Sequence, residues 1–135
     1  MAVESTLLIV KPDGVRRALV GEVLKRAEDK GLAIEQMRMF TIDRSLAEEH
    51  YGEHREKPFF GELVSFITSG PVVVAKLTGE QAISVWRTLI GPTNPVDAPP
   101  GTIRGDYCTI ITENLVHGSD SAESAARELK LFFAE

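Results

Sequence analysis

Short β-branched runs alternating with amphipathic helical stretches predict a mixed domain, α/β or α+β, and three observations carry that prediction. Apolar runs of strand length recur at 5–10, 34–42, 72–75 and 108–112. Stretches with apolar residues at helical spacing separate them, and Pro12, Gly31 and Gly70-Pro71 punctuate the changes between the two patterns. Periodicity alone leaves two architectures open, a doubly wound parallel sheet and an antiparallel split βαβ arrangement.

Ser5-Thr6-Leu7-Leu8-Ile9-Val10 reads as the first strand; Pro12 ends its ladder and Asp13 is suited to cap a helix. Val15, Leu19, Val23, Leu24 and Ala27 then recur at helical spacing, and Lys30-Gly31 supplies the C-terminal stop. Ile34 to Ile42 is a second strand whose alternation is imperfect around Gln36 and Met37. Ser45 opens a short helix holding Glu48, Glu49, His50 and Tyr51, with Gly52 as its break. A helix carrying Leu63, Phe66 and Ile67 follows Pro58-Phe59-Phe60-Gly61, and Gly70-Pro71 turns the chain into the buried strand Val72-Val73-Val74-Ala75. Glu80 to Ile90 is helical, with Ala82, Ile83, Trp86 and Leu89 on one face. Four of the seven prolines fall between Gly91 and Gly101, which reads as an ordered surface loop. Cys108 to Thr112 is the last strand. Ser121 to Phe133 is the last helix, with Ala122, Ala125, Ala126, Leu129 and Phe133 inward and Asp120 with Glu123 as a capping-box pair.

Residues 1–135 make one domain's length, and 43% apolar with 26% charged residues exclude wholesale disorder. The net charge of -5 disfavours sequence-blind nucleic-acid binding, which needs an excess of cations, but leaves a local cation cluster for a small anion open. Leu7 to Val10 is too short for a signal peptide core or a membrane span. Cys108, the single cysteine, reads as a buried structural thiol, and the cytoplasm is the expected compartment.

No Gly-x-x-x-x-Gly-Lys, Gly-x-Gly-x-x-Gly, Gly-x-Ser-x-Gly or His-Glu-x-x-His occurs, so the familiar nucleotide cradles and zinc proteases are out. His50 and His54 stand at i, i+4, yet Gly52 lies between them and no third ligand is near; they read as surface histidines rather than a metal pair. His117 is different. It precedes a capped helix beside Gly118, Ser119 and Ser121, and a neutral imidazole is an effective nucleophile near pH 7. Arg104 lies between glycines in Gly101-Thr102-Ile103-Arg104-Gly105, while Arg87 and Lys11 add cations at element ends, where ligands of such sheets tend to sit. Phe59-Phe60 reads either as a base-stacking platform or as core.

With Lys11-Pro12-Asp13-Gly14, Lys57-Pro58-Phe59-Phe60, Ile67-Thr68-Ser69-Gly70-Pro71, Pro100-Gly101-Thr102-Ile103-Arg104-Gly105-Asp106 and the Asn114-x-x-His117-Gly-Ser-Asp core in order, the sequence resembles a nucleoside diphosphate kinase from end to end. The resemblance implies a ferredoxin-like α+β fold, a four-stranded antiparallel sheet flanked by helices. It also implies ping-pong transfer of a terminal phosphoryl group from a nucleoside triphosphate to a nucleoside diphosphate, through a phosphohistidine at His117. Glu128 and Ser119 would hold the imidazole. Lys11 and Asn114 would bind sugar hydroxyls, Lys11 also meeting phosphate, and Tyr51, Arg87, Thr93 and Arg104 would surround the phosphates. Phe59 would stack on the base with Ile111 on its other side, and His54 would sit near the phosphate site. Mg²⁺ would arrive on the nucleotide, with no metal ligand from the protein. ATP is the expected main donor and a homo-oligomer, tetramer or hexamer, the expected assembly, with no membrane or nucleic acid required. Tyr107 and Phe132 stand where Phe and Trp are common in the family. The rival reading is a catalytically silent binding module of the same shape, disfavoured by the charge and by the intact His117, Lys11, Arg87, Arg104 and Asn114.

Overall fold

The computed structural model describes residues 2–134. In chain order the elements are β1 (Val3–Val10), α1 (Pro12–Arg16), α2 (Val20–Asp29), β2 (Ala33–Phe40), α3 (Arg44–His50), α4 (Phe60–Ile67), β3 (Val72–Glu80), α5 (Ala82–Ile90), α6 (Ile103–Tyr107), β4 (Val116–Gly118) and α7 (Ala122–Phe133). The sheet order is β2-β3-β1-β4 and every pairing is antiparallel, which removes the doubly wound alternative and gives the ferredoxin-like α+β fold.

Strand β1 explains the layering. Leu7 and Ile9 point to one face, where Ile42, Ala47, Val64, Ile67, Leu129 and Phe132 of the α3, α4 and α7 side meet them. Leu8 and Val10 point to the other, against Val23 and Ala27 of α2, Trp86 and Ile90 of α5, and Ile103 of α6. A strand covered by helices on both faces has no polar side to show, hence the unbroken apolar run. Strand β3 divides in the same way, Val72 and Val74 on one side and Val73, Ala75 and Leu77 on the other. The edge strand β2 is mostly exposed, and the imperfect alternation at Gln36 is a bulge between Ile34 and Gln36.

Several expected elements are revised. The 15–27 helical pattern is two helices, because α1 ends in a Schellman turn: Leu19 N donates to Gly14 O (3.0 Å), Ala18 N to Val15 O (3.0 Å), and Ala18 takes φ 58°. Glycine is usual there, and without one the sequence shows no break. Asp13 is not a cap. Lys11 occupies that position with Pro12 following, and the Asp13 side chain is buried. Asp43, not Ser45, opens α3 by accepting from Leu46 N at 2.8 Å. Strand β3 runs to Glu80, and Gln81, at φ 49°, turns the chain into α5. No strand spans 108–112: between α6 and a 3-10 turn at Ile111–Glu113 lie Cys108, buried as expected, and exposed Thr109 and Ile110, and the last strand is the three-residue β4. Ile110 and Ile111 carry β-propensity but have no partner strand, and propensity without packing does not make a strand. Leu115, at φ 73°, delivers the chain into β4. Helix α7 is capped by Ser121, which accepts from Ser124 N at 3.1 Å, so Asp120 and Glu123 form no capping box. Its buried stripe is Ala125, Glu128, Leu129 and Phe132; Ala122 and Ala126 are exposed and Phe133 is half-buried. The stripe runs through Glu128, a charged residue that an apolar-pattern reading passes over.

Gly105 in α6 has no room for a methyl group, since a Cβ there would collide with the carbonyl of Pro99, whereas Gly61 in α4 faces open space. Gly105→Ala should therefore destabilise by roughly 1–3 kcal/mol, and Gly61→Ala should stabilise by up to about 1 kcal/mol through helix propensity. Urea unfolding of the two variants beside the parent checks both signs.

Candidate active site

His117 sits in the middle of β4, paired with Ile9 of β1. Its backbone is held from α5. Trp86 Nε1 donates to His117 O (3.2 Å) and Arg87 Nη1 to Gly118 O (3.3 Å). Gly118 permits this approach, because a Cβ there would lie 2.6 Å from Trp86 Cδ1. The imidazole is held from α7: Nε2 lies 2.8 Å from Glu128 Oε1, which also accepts from Ser119 Oγ at 2.7 Å. Ser119 in turn accepts from Leu7 N of β1 at 3.2 Å. Glu128 is 5% exposed. Burial alone would push its carboxyl up, but the hydrogen bond and charge of His117, the charge of His50 and the Ser119 hydroxyl together hold it down to about 2. An ionised carboxylate only accepts, so it fixes the His117 proton on Nε2 and leaves the lone pair on Nδ1.

A second set of bonds joins the cations to the loops. Lys11, at the end of β1, donates Nζ to Asn114 Oδ1 (2.9 Å), and Asn114 Nδ2 donates to Thr93 O (3.1 Å). Arg104 donates from Nε to Asn114 O (3.1 Å), from Nη1 to Gly91 O (3.0 Å) and from Nη2 to Val116 O (2.6 Å). Arg104 is buried, contrary to the solvated side chain usual for arginine at a turn. Burial, and then Arg104's own charge, bring the Lys11 ammonium down to about 8, with Asp13 opposing; burial foremost, with Arg87 also contributing, brings Arg104 to about 10. Two desolvated cations beside one another favour an arriving anion.

An aromatic file leads away from the nucleophile candidate. The ring centroids run His117 to His50 at 5.0 Å, His50 to Tyr51 at 4.7 Å, Tyr51 to His54 at 6.4 Å and His54 to Phe59 at 5.9 Å. Lys57 Nζ lies 2.9 Å from His54 Nδ1. Phe59 is 44% exposed while Phe60 is half-buried, so the pair divides between platform and core. Ile111 is exposed in its turn, outside the hydrogen-bonded set, and Arg87 is exposed apart from its bond to Gly118. His50 is not a surface residue. It is buried at the end of α3, and with Asp13 and Lys57 it is a site neighbour that the sequence reading missed; only the adjacency of His50 to Tyr51 pointed to it.

Residues 4–135 match the family model described as nucleoside diphosphate kinase. The chain belongs to the nucleoside diphosphate kinase family. It is 62% identical over 130 residues to the nucleoside diphosphate kinase of Rubrobacter xylanophilus, covering 96% of this chain and 98% of that one. It is 56% identical over 132 residues to that of Deinococcus radiodurans, covering 98% and 96%. Among solved structures, a halophilic nucleoside diphosphate kinase from Halobacterium salinarum in complex with CDP superposes with a TM-score of 0.96 at 48% identity, over 99% of this chain and 90% of that one. The Aquifex aeolicus nucleoside diphosphate kinase gives 0.95 at 45% identity, over 98% and 96%.

A nucleoside diphosphate kinase is an enzyme that moves a phosphoryl group between nucleoside tri- and diphosphates, and buried Arg104 beside half-buried Lys11 suits that substrate class. Among the described residues no group of three or more His, Cys, Asp or Glu is placed to hold a metal ion, and no helix is long and apolar enough to cross a membrane. For this kinase the charge pattern carries a consequence for acid stability. Burial, then the charge of His117, hold the His50 imidazole down to about 3 from its ordinary 6.5, while Glu128 is held at about 2 from 4.5. Both groups have depressed folded values, so their contributions are complete above their ordinary values and are lost as pH falls toward the folded ones. Denaturant midpoints should fall steadily below pH 6.5, and His50→Phe should flatten the part of that loss between pH 6.5 and 4.5; a midpoint series from pH 7.5 to 4 reads both.

Proposed function

We propose that Nδ1 of His117 attacks the γ-phosphorus of a nucleoside triphosphate, that the diphosphate leaves, and that a second diphosphate enters the same pocket to take the group back. The observation that carries this reading is the 2.8 Å contact of Nε2 with Glu128, which reserves the lone pair on Nδ1 for phosphorus. The P–O bond to the leaving diphosphate breaks as the P–N bond forms, and the reverse exchange regenerates the free imidazole. Splitting the transfer lets one site serve donor and acceptor in turn.

Around the transferred group, Lys11, Arg87 and Arg104 offset charge on the equatorial oxygens, with Thr93 and Tyr51 adding hydrogen bonds. Arg104 has spent three of its five N–H groups on carbonyls, which leaves two for phosphate and holds the guanidinium in place. Burial, and then the charge of Glu128, push the Tyr51 hydroxyl up to about 12, so it stays a donor. Lys11 and Asn114 bind the sugar hydroxyls, and Phe59 and Ile111 grip the faces of the base; the exposure of both side chains supports that role. His54 lies near the phosphates, between Tyr51 and Phe59 in the aromatic file. The CDP bound to the Halobacterium salinarum relative supports a diphosphate acceptor.

The donor set of the pocket is cationic and suits a metal–nucleotide complex rather than a bare ion. Mg²⁺ carried on the phosphates would supply charge neutralisation there. We read residues 1–135 as one kinase domain with ATP as main donor, working in the cytoplasm without need of membrane or nucleic acid. Exposed Met37 and Met39, two residues apart on the edge strand β2, support assembly into a homo-oligomer, a tetramer or hexamer.

Brief incubation with labelled ATP and Mg²⁺ should leave one acid-labile, base-stable phosphoryl group per chain, and His117→Ala should abolish it. Retained labelling in that variant would overturn the assignment. Glu128→Gln places an amide, half donor, where a pure acceptor stood, and loosens control of the tautomer; it should lower kcat about 10–100-fold with KM little changed, read by steady-state kinetics with saturating donor.

A further inference from the structure

His50 has no part in the transfer as set out above, yet it is the buried side chain in ring contact with His117. It is 4% exposed, and its Nδ1 is fully buried with no hydrogen-bond partner. A polar atom left so is costly, and an aliphatic side chain would fill the volume without that cost. What the imidazole contributes is a flat, slim ring. Its plane stands at 79° to that of His117 at 5.0 Å and at 80° to that of Phe132 at 5.4 Å, the edge-to-face arrangement that aromatic quadrupoles favour.

Phe132 lies one helical turn beyond Glu128 on the same face of α7. The contacts therefore close a ring: Glu128 grips His117, His117 meets His50, His50 meets Phe132, and Phe132 returns to the helix that carries Glu128. The hydrogen bond alone leaves one motion free. Rotation of a histidine about Cβ–Cγ is soft, and Nε2 lies nearer that axis than Nδ1 does, so a bond at Nε2 resists the swing of Nδ1 only weakly. A ring packed against the imidazole blocks it. The charged and titratable groups that bear on His50 are His117, Lys11 and Arg127, which disfavour a charge there, and Glu128, which favours one; burial outweighs all of them and keeps the ring neutral.

We propose that His50 is a positioning residue: braced by Phe132, its ring sets the plane of His117 and so aims Nδ1 at the incoming phosphorus. This rests on the reading of His117 as the phosphorylated residue.

Rapid-quench phosphorylation by ATP and Mg²⁺ in the full chain, with ADP affinity by calorimetry and a thermal melt for each variant, tests it. His50→Gln and His50→Leu fill space without a ring and should slow phosphorylation about 10–100-fold, leaving the ADP dissociation constant within about twofold. His50→Phe should recover the rate to within about fivefold of the parent and keep the acid limb of its pH profile in place. Phe132→Leu removes the brace from the far side and should slow phosphorylation with ADP affinity kept, which holds the test open if the His50 variants do not fold. Parent rates in folded Gln and Leu variants, or in Phe132→Leu, overturn the proposal. So does a folded His50→Phe as slow as Leu, or one whose acid limb moves, since His50 would then act through its nitrogens. A parent enzyme that takes no label at His117 instead removes the underlying reading, a failure distinct from these.

Discussion

Burial of β1 on both faces is the constraint on which the rest of the molecule depends. Leu7, Leu8, Ile9 and Val10 are wholly inaccessible, and the two cores they divide are the reason the sheet stands between two helical layers. The same strand reaches the chemistry by three routes. It leads directly into Lys11, it pairs Ile9 with His117, and its Leu7 amide donates to the Ser119 hydroxyl that supports Glu128. A shift of this strand would move the nucleophile candidate, its carboxylate and the nearest cation together, so hydrophobic packing and site geometry are one constraint.

Charge inside the protein is sorted by partner. The Glu128 carboxylate is buried where an imidazole and a hydroxyl meet it, and it stays ionised. Half-buried Lys11 and buried Arg104 bond to carbonyl and amide oxygens, partners that engage part of their N–H groups without neutralising them. The first arrangement is complete in the free protein; in the function proposed above, an anionic substrate completes the second. On that reading, the asymmetry separates the part of the pocket that orients the proposed nucleophile from the part proposed to recognise phosphate.

Most of the fold was legible because burial writes itself into periodicity. The run 7–10 showed β1, the spacing through Ala82 and Trp86 showed α5, and the irregularity at Gln36 marked a real bulge. The antiparallel order came from the family resemblance. What failed had no local signal: the turn at Ala18 lacks its glycine, and β4 is three residues long, held by pairing with β1 rather than by propensity. In the site, His117, Glu128 and Ser119 form one hydrogen-bonded set and Lys11, Asn114, the Thr93 carbonyl and Arg104 another, whereas Ile111 and Arg87 lie at the exposed margin. His50 escaped because a lone histidine gives no hint of its burial, and Asp13 because a residue suited to capping was read as a cap.

Leu115 occupies a backbone conformation that side-chain-bearing residues seldom adopt, φ 73°, yet its own side chain is completely buried. Its carbonyl receives the Lys11 amide at 2.8 Å, and its neighbours are Asn114 on one side and the strand of His117 on the other. Glycine would relax the backbone but would leave a hole in the core; leucine fills the core and keeps the strain. The residue therefore acts as a latch, with packing energy holding closed a turn that the chain alone would open. Efforts to make this protein sturdier have more freedom at α4 than here, where local comfort and the aim of the neighbouring histidine are in opposition.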